Sequence, residues 1–237
     1  EILKYLEKSG VKVMNSYEAY ANSRDKLMMN LTLRRSGIRV PDTLVIADRS
    51  KPGCVDSFFE KHRRVVLKPR SNHGGKGILR FSDPADFWDY TEMVEGFFDN
   101  HYLEAFVDFG EMDYRVEVVN DTVAGGYRRL KTHPFKTNIG SGGQMVAELP
   151  GRDVLDLGHR AARAVKIDCT AVDIVRCRQS GELYVLEVNP IMGVFLETAL
   201  RSGSRFPAQE NVHELFQTDD LKMDLLMQMI GGLNLHT

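Results

Sequence analysis

Thr170-Ala-Val-Asp-Ile-Val-Arg-Cys-Arg-Gln-Ser-Gly-Glu-Leu-Tyr-Val-Leu-Glu-Val-Asn189 reads as two apolar strands folded back on a turn at Gln179-Ser-Gly181. A three-residue loop pairs Arg178 with Glu182. Counting back along both arms then sets Asp173 opposite Glu187. Side chains alternate with period two, so Glu187 and Asn189 project from the same face as Asp173. Two carboxylates and an amide oxygen thus converge on otherwise apolar strands. Like charges directly opposed repel, and a bound cation resolves the conflict; an all-oxygen set suits magnesium, with manganese as an alternative, sharing ligands with nucleotide phosphates. The competing reading is a solvated, exposed sheet face. Val172, Ile174, Val185, Leu186 and Val188 around the three residues favour the buried version. The inference depends on register, because a slip of one residue sends every side chain to the other face.

Upstream, Lys68-Pro-Arg-Ser-Asn-His-Gly-Gly-Lys-Gly77 follows a short buried strand, Arg64 to Lys68. Glycines allow close backbone approach, and their N–H groups, with Lys68 and Lys76, can hold phosphates. The run is neither a G-x-x-x-x-G-K-[ST] loop nor a G-x-G-x-x-G fingerprint. Alone it reads equally well as a solvated hairpin tip. From Thr122 to Gln144 the basic residues Arg128, Arg129, Lys131 and Lys136, with His133, stand without an acidic partner. That local excess points to an anion. A phosphate or carboxylate is the more economical ligand than nucleic acid, given a single tryptophan and a small patch.

Composition sets the bounds. In 237 residues, 43% are hydrophobic and 27% charged, which excludes collagen-like, low-complexity and wholly disordered chains. The net charge of -2 calls for neither nucleic acid nor an anionic membrane. Cys54, Cys169 and Cys177 match no zinc or redox spacing, and the last two, on one strand, lie roughly 26 Å apart at ~3.3 Å per residue. A reducing, cytoplasmic setting is expected. No apolar run is long enough for a membrane span.

Along the chain the pattern predicts a helix over 1–8, a brief strand over 11–14, and a helix opening near Ser23, Asp25 and Lys26 with Leu27, Met28, Leu31 and Leu33 as its apolar positions. Extended segments follow over 38–46, 64–68 and 78–81. Asp83 and Pro84 start a helix running to about 98. His101 to Val107 is a strand, and Asn120-Asp121 turns a hairpin between 114–119 and 123–130. A helix over 152–166 precedes the hairpin first described, and a last helix spans about 219–229. Helices mixed with mostly antiparallel strands predict an α+β architecture of two lobes meeting near residue 105.

Read in order, Ser23-Arg-Asp-Lys26, Gly37-Ile-Arg-Val-Pro41, Val65-Val-Leu-Lys68, the glycine loop, Leu103-Glu-Ala-Phe-Val107, Asp113-Tyr-Arg115, Tyr127-Arg-Arg129, Phe135-Lys-Thr-Asn138 with Gly142-Gly143, Ala171-Val-Asp-Ile174 and Leu186-Glu-Val-Asn189 resemble an ATP-grasp ligase. Within that superfamily they look most like the RimK-like glutamate ligases, which are carboxylate–amine ligases. The resemblance covers nearly the whole chain. It implies an ATP-grasp fold of two α+β lobes clasping ATP. Residues 1–22 would be the remnant of a pre-grasp domain and a linker, 23–105 the N-terminal lobe and 106–237 the C-terminal lobe. Most of the family's N-terminal domain would be missing, with only its final part, Glu1 to about Asn15, present.

The resemblance also implies roles. Lys26 and Lys68 would meet phosphates under a loop from Ser71 to Gly77 that includes Gly74, Gly75 and Lys76. Glu104 would begin the segment joining the lobes, with Ala105 and Val107 offering backbone to adenine and Glu111 binding ribose. Asp173, Glu187 and Asn189 match the family's magnesium ligands, in agreement with the hairpin geometry. Arg115, Arg128 and Asn138 would steady the transferred phosphate. The implied reaction is phosphoryl transfer from ATP to a carboxylate, then amine attack on the acyl phosphate. Two departures stand out: Asn189-Pro-Ile-Met-Gly193 replaces the usual Asn-x-Ser-Pro-Gly, and Ala105 stands where an acidic residue is common. The implied partners are a small-molecule or peptide carboxylate and an amine, with neither nucleic acid nor membrane; a homo-oligomer is left open. A small-molecule kinase and a non-catalytic ATP-binding protein are the rival functions.

Overall fold

The computed structural model describes residues 1–47, 52–71, 77–131, 137, 143–146, 148–190 and 221–229. Helix α1 (Ile2–Lys8) ends at Ser9 and Gly10, the latter at φ 81°. Residues 11–14, where alternation predicts a strand, form no regular element. Two helices follow where one is predicted. Ser16 caps α2 (Tyr17–Arg24), its hydroxyl accepting from the Ala19 N–H, and Asp25 caps α3 (Lys26–Arg35), accepting from the Leu27 N–H. The α3 face also differs from expectation. Met29 and Leu33 are buried, together with Lys26 and Asn30, whereas Met28 and Leu31 are exposed. Two polar residues on the buried side, Lys26 and Asn30, hid the stripe from a count of apolar positions.

Residues Pro41–Asp108 form a compact unit of their own. It contains β1 (Thr43–Ile46), α4 (Pro52–His62), β2 (Val65–Lys68), β3 (Leu79–Phe81), α5 (Pro84–Met93) and β4 (His101–Ala105). Its sheet is antiparallel in the order β1-β4-β2-β3. Asp83 caps α5 by accepting from the Ala85 N–H, with Pro84 in the first turn, as the sequence predicts; α4 was not foreseen. Val55, Phe59, Val65, Leu67, Phe81, Phe87 and Leu103 close the core.

The second unit joins Glu1–Val40 to Phe109–Thr237. Residues 23–40, counted with the first lobe from the sequence, thus pack with the strands of the later one, where Met29 and Leu33 enter their core. That unit contains β5 (Met112–Val119), β6 (Thr122–Leu130), β7 (Gln144–Val146), α6 (Arg152–Val165), β8 (Cys169–Arg176) and β9 (Leu183–Asn189). The strands form an antiparallel sheet in the order β7-β6-β5-β8-β9. Asn120 and Asp121 both take positive φ, as a two-residue hairpin turn matching strand twist requires. The 14-residue α6 buries Val154, Leu157, Ala161, Ala162 and Val165 against one face of the sheet. The other face carries charge. Residues 221–229 are helical, and Leu225 packs on Val119, Ala124 and Cys169.

The β8–β9 turn reaches the expected register by a different route. Cys177 N–H donates to Glu182 C=O and Gly181 N–H to Cys177 C=O, both at 2.9 Å, so the loop holds four residues, Arg178 to Gly181, instead of three. Arg176 then pairs with Leu183 and Ile174 with Val185. A β-bulge between Asp173 and Ile174 accommodates Leu186 as an extra residue, and beyond it Asp173 faces Glu187. The longer loop and the bulge offset each other. Among the described residues no helix is long and apolar enough to cross a membrane.

Candidate active site

Paired residues in an antiparallel sheet share a face. Asp113 pairs with Arg129, Arg115 with Tyr127 and Asp173, and Asp173 with Glu187. These side chains therefore line the sheet surface opposite α6, and they interlock. Arg129 forks onto Asp113, donating from Nε to Oδ1 at 2.9 Å and from Nη2 to Oδ2 at 2.5 Å, while Nη2 also lies 3.1 Å from Asp173 Oδ1. Thr137 Oγ1 donates to Asp113 Oδ2 at 2.5 Å. Arg115 Nε donates to Asp173 Oδ1 at 3.0 Å. Lys26, from the first turn of α3, pairs with Glu187 at 3.0 Å. Burial alone would lower the Arg115 and Arg129 guanidinium pKa values; the facing carboxylates, Asp173 for Arg115 and Asp113 then Asp173 for Arg129, raise both overall. Both stay charged in near-dry surroundings.

Asn189 Nδ2 donates to the Ala171 carbonyl at 2.8 Å, and Thr170 Oγ1 donates to the Asn189 carbonyl at 2.7 Å, so the amide is held by the neighbouring strand. Asp173, Glu187 and Asn189 offer only oxygen to a cation, the donor chemistry that suits magnesium. Their residues fit such an ion, on the condition that Arg115, Arg129 and Lys26 yield part of their hold on the carboxylates. No group of three His, Cys, Asp or Glu side chains is placed for a metal among the described residues; the set here is two carboxylates and an amide.

Arg128 lies elsewhere. It pairs in register with Tyr114, its guanidinium sits 5.6 Å from the Tyr114 ring centroid, and it bridges to Glu148 at 2.8 Å. Tyr114 packs on the apolar core, so Arg128 belongs to the face away from Asp173. The arginine beside Asp173 is its neighbour Arg129, which the sequence reading left out. Alternation counted across the Asn120-Asp121 turn selects Arg128 instead, because Val119 pairs with Thr122 and Val118 with Val123; the register shift between Glu117 and Val118 then brings Asp113 to Arg129 and Arg115 to Tyr127. The basic run 122–144 also loses much of its excess in space, since Arg129 meets Asp113, Arg128 meets Glu148 and Lys131 meets Glu111 at 3.4 Å. Glu111 itself is largely exposed.

In the smaller unit, Lys68 at the end of β2 forms an ion pair with Glu104 on β4, and Tyr102 Oη donates to Glu104 Oε1 at 2.7 Å. Glu104 is 1% exposed. Its carboxylate therefore anchors Lys68. The Ala105 N–H donates to the Asp42 carbonyl at 2.8 Å and is already engaged. Val107 follows at partial exposure. Ser71 is exposed; Gly77 takes φ 71°, and a Cβ there would come 2.9 Å from Pro69 Cγ, so both conformation and space demand glycine. Gly74, Gly75, Lys76 and Asn138 lie outside the described residues.

Asn15 escaped the sequence reading altogether. It is buried; its Nδ2 donates to the carbonyls of Cys169 at 2.8 Å and Pro190 at 2.9 Å, while Oδ1 accepts from the N–H groups of Asp168 at 3.0 Å and Cys169 at 2.8 Å. One amide thus ties the start of β8 to the residue after Asn189.

Two antiparallel α+β units, one with a partly buried, ion-paired lysine at a strand end and the other with carboxylates and arginines on a sheet face, define the class. The ATP-grasp ligase PsnB, complexed with minimal precursor, Mg and ADP, superposes with a TM-score of 0.65 over 96% of this chain and 65% of that one, at 22% identity; the shared fold is the ATP-grasp fold. Residues 23–199 match the RimK-like ATP-grasp domain, and the chain belongs to that family. Among curated relatives, the coenzyme gamma-F420-2:alpha-L-glutamate ligase of Methanococcus maripaludis is 25% identical over 197 residues, covering 81% of this chain and 67% of that protein. A probable alpha-L-glutamate ligase of Xylella fastidiosa is 28% identical over 195 residues, covering 81% of this chain and 64% of its own length. The chain thus spans about two thirds of the length of these relatives.

Proposed function

We propose that the protein is an ATP- and magnesium-dependent carboxylate–amine ligase that adds an amino acid, glutamate by likeness to its relatives, to a small molecule or peptide. The observation that carries this reading is the alternation of Asp173, Glu187 and Asn189 with Arg115, Arg129 and Lys26 on one sheet face, in a chain of the RimK-like ATP-grasp family. On this reading Lys26 in the larger unit and Lys68 in the smaller one each offer an ammonium group to nucleotide phosphate. In the same reading Val107 offers backbone to adenine, and Glu111 binds ribose. Asp173, Glu187 and Asn189 would hold magnesium, which would supply positive charge against the nucleotide phosphates.

The γ-phosphoryl group passes to a carboxylate oxygen as the bond to ADP breaks. The amine nitrogen then attacks the acyl carbon, phosphate leaves with the C–O electron pair, and the amine loses a proton. Fixed guanidinium groups offset the charge that grows on the transferred group, and they need no reorganisation at the moment of reaction. A reducing compartment such as the cytoplasm accords with three free thiols.

The test is incubation with ATP, magnesium, glutamate and candidate carboxylates. ADP and free phosphate should appear together only when acid and amine are both present. ADP without phosphate would indicate an ester-forming kinase, and nucleotide binding without turnover a non-catalytic protein. Asp173→Asn should abolish turnover while leaving the fold intact, as read by circular dichroism.

A further inference from the structure

The helix at 221–229 lies beyond the matched domain, which ends at residue 199, and its buried stripe is unusual. Leu225, Leu226 and Met229 form an apolar contact with Val119, Ala124 and Cys169, yet one turn earlier the same side carries Lys222. Lys222 is 0% exposed, and its Nζ sits 2.5 Å from Oε2 of Glu117, itself 2% exposed. Removing two charges from water is costly, and a hydrophobic pair of similar volume often serves stability as well or better. The pair therefore calls for a purpose other than holding the helix on.

The position of Glu117 supplies one. It stands two residues after Arg115 on β5, hence on the same face. Tyr127 is the in-register partner of Arg115 on β6, so its phenol and the Arg115 guanidinium lie side by side on one face. Tyr127 is buried and lies within electrostatic reach of Glu117, Arg115 and Arg129. The charges alternate from the helix inward: Lys222, Glu117, then Arg115 with Tyr127 against it, then Asp173. Cys169 reports on the same spot. Burial, Glu117 and Asp168 push its thiol up to about 11, and Lys222 acts in the opposite sense.

We propose that Lys222 and Glu117 are positioning residues that, with Tyr127, hold the Arg115 guanidinium in its catalytic place, so that docking of the 221–229 helix completes the active face. The proposal rests on the reading that Arg115 meets the terminal phosphate of ATP. The fixed Glu117–Lys222 pair closes one side of the Arg115 guanidinium and Asp173 the other, so that removing the pair, in part or whole, lets the guanidinium shift from Asp173 and from the phosphate.

Two readouts test this, one of them independent of nucleotide. In the protein without ligand, the Nε–H resonance of Arg115 in ¹⁵N-arginine spectra should be sharp and slowly exchanging. It should shift or broaden in Lys222→Met and Tyr127→Phe. The same change is expected in the double variant Glu117→Leu with Lys222→Met, whose melting temperature should equal or exceed that of the parent. An Arg115 signal unchanged in the folded double variant would overturn the proposal. Calorimetry then compares MgADP with the magnesium complex of a non-hydrolysable ATP analogue. The double variant should bind the analogue about tenfold more weakly, with MgADP affinity within about twofold, and that loss should vanish in an Arg115→Lys background. Equal weakening of both ligands, or a loss that persists without Arg115, would point to mere support of the fold and overturn it. If the parent protein binds neither nucleotide while the Arg115 signal still depends on Lys222, the nucleotide reading fails and the positioning of Arg115 stands.

Discussion

Arg128 and Arg129 are neighbours of identical chemistry, and one step along β6 separates their fates. Arg129 is buried between Asp113 and Asp173; Arg128 lies against Tyr114 and Glu148 on the opposite face. Replacing Arg129 by Lys keeps the charge but loses the two-pronged geometry. We expect Arg129→Lys to lower kcat for ADP formation by about a hundredfold, the loss typical of a removed charge-stabilising donor. Arg128→Ala, which removes only a part-exposed ion pair, should alter kcat by less than about threefold and stability by no more than about 1 kcal/mol. Similar losses from both would contradict the placement. The residues of this cluster were half legible in the sequence: Asp173, Glu187 and Asn189 follow from strand alternation, but choosing between two adjacent arginines needs the phase of β6. That phase is set by the register shift between Glu117 and Val118, which only the paired strands reveal.

Elements meet at closest range where α6 crosses β5. A Cβ at Gly158 would come 2.6 Å from Cβ and Cγ1 of Val116, a distance that real side chains do not tolerate. Gly158→Ala should therefore destabilise the protein by about 1–3 kcal/mol despite its better helix propensity, as read from the urea midpoint. A stabilised variant would show that α6 can lift off the sheet. Asn15 joins elements distant in sequence, with both amide protons and its oxygen engaged by backbone groups at the start of β8 and at Pro190. Asn15→Ala leaves four buried backbone groups in need of partners, and a loss of about 3 kcal/mol or more is expected in the same assay. Such a residue gives no sequence signal of its own. An isolated polar side chain in a loop reads as solvated until its partners, some 150 residues away, are known.

At the scale of the whole molecule, the smaller unit carries a pH-sensitive contact of its own. His62 at the end of α4 is held below its usual pKa of 6.5 by burial; Asp42, 3.3 Å away, works in the opposite sense and Lys61 adds to the lowering. Between the folded-state value and 6.5 the unfolded chain binds more protons, so stability should rise with pH across that window and be lost as pH falls through it. Denaturant melts at a series of pH values should show this slope, and His62→Gln should flatten it; an unchanged slope would assign the dependence to other groups. Taken alone, the amino-acid sequence determined the α+β class, the strand hairpins, the Asp83 cap and the ATP-grasp resemblance, because those depend on short-range periodicity, turn chemistry and the order of motifs. Only the tertiary structure decided that 1–40 packs with the later strands, that a bulge at Leu186 compensates a longer turn, that Arg129 rather than Arg128 faces Asp173, and that Lys222 reaches Glu117. Each of these depends on contacts across long stretches of chain, apolar burial for 1–40, strand register for the bulge and desolvated charge pairs for Arg129 and Lys222, and none leaves a trace in local periodicity.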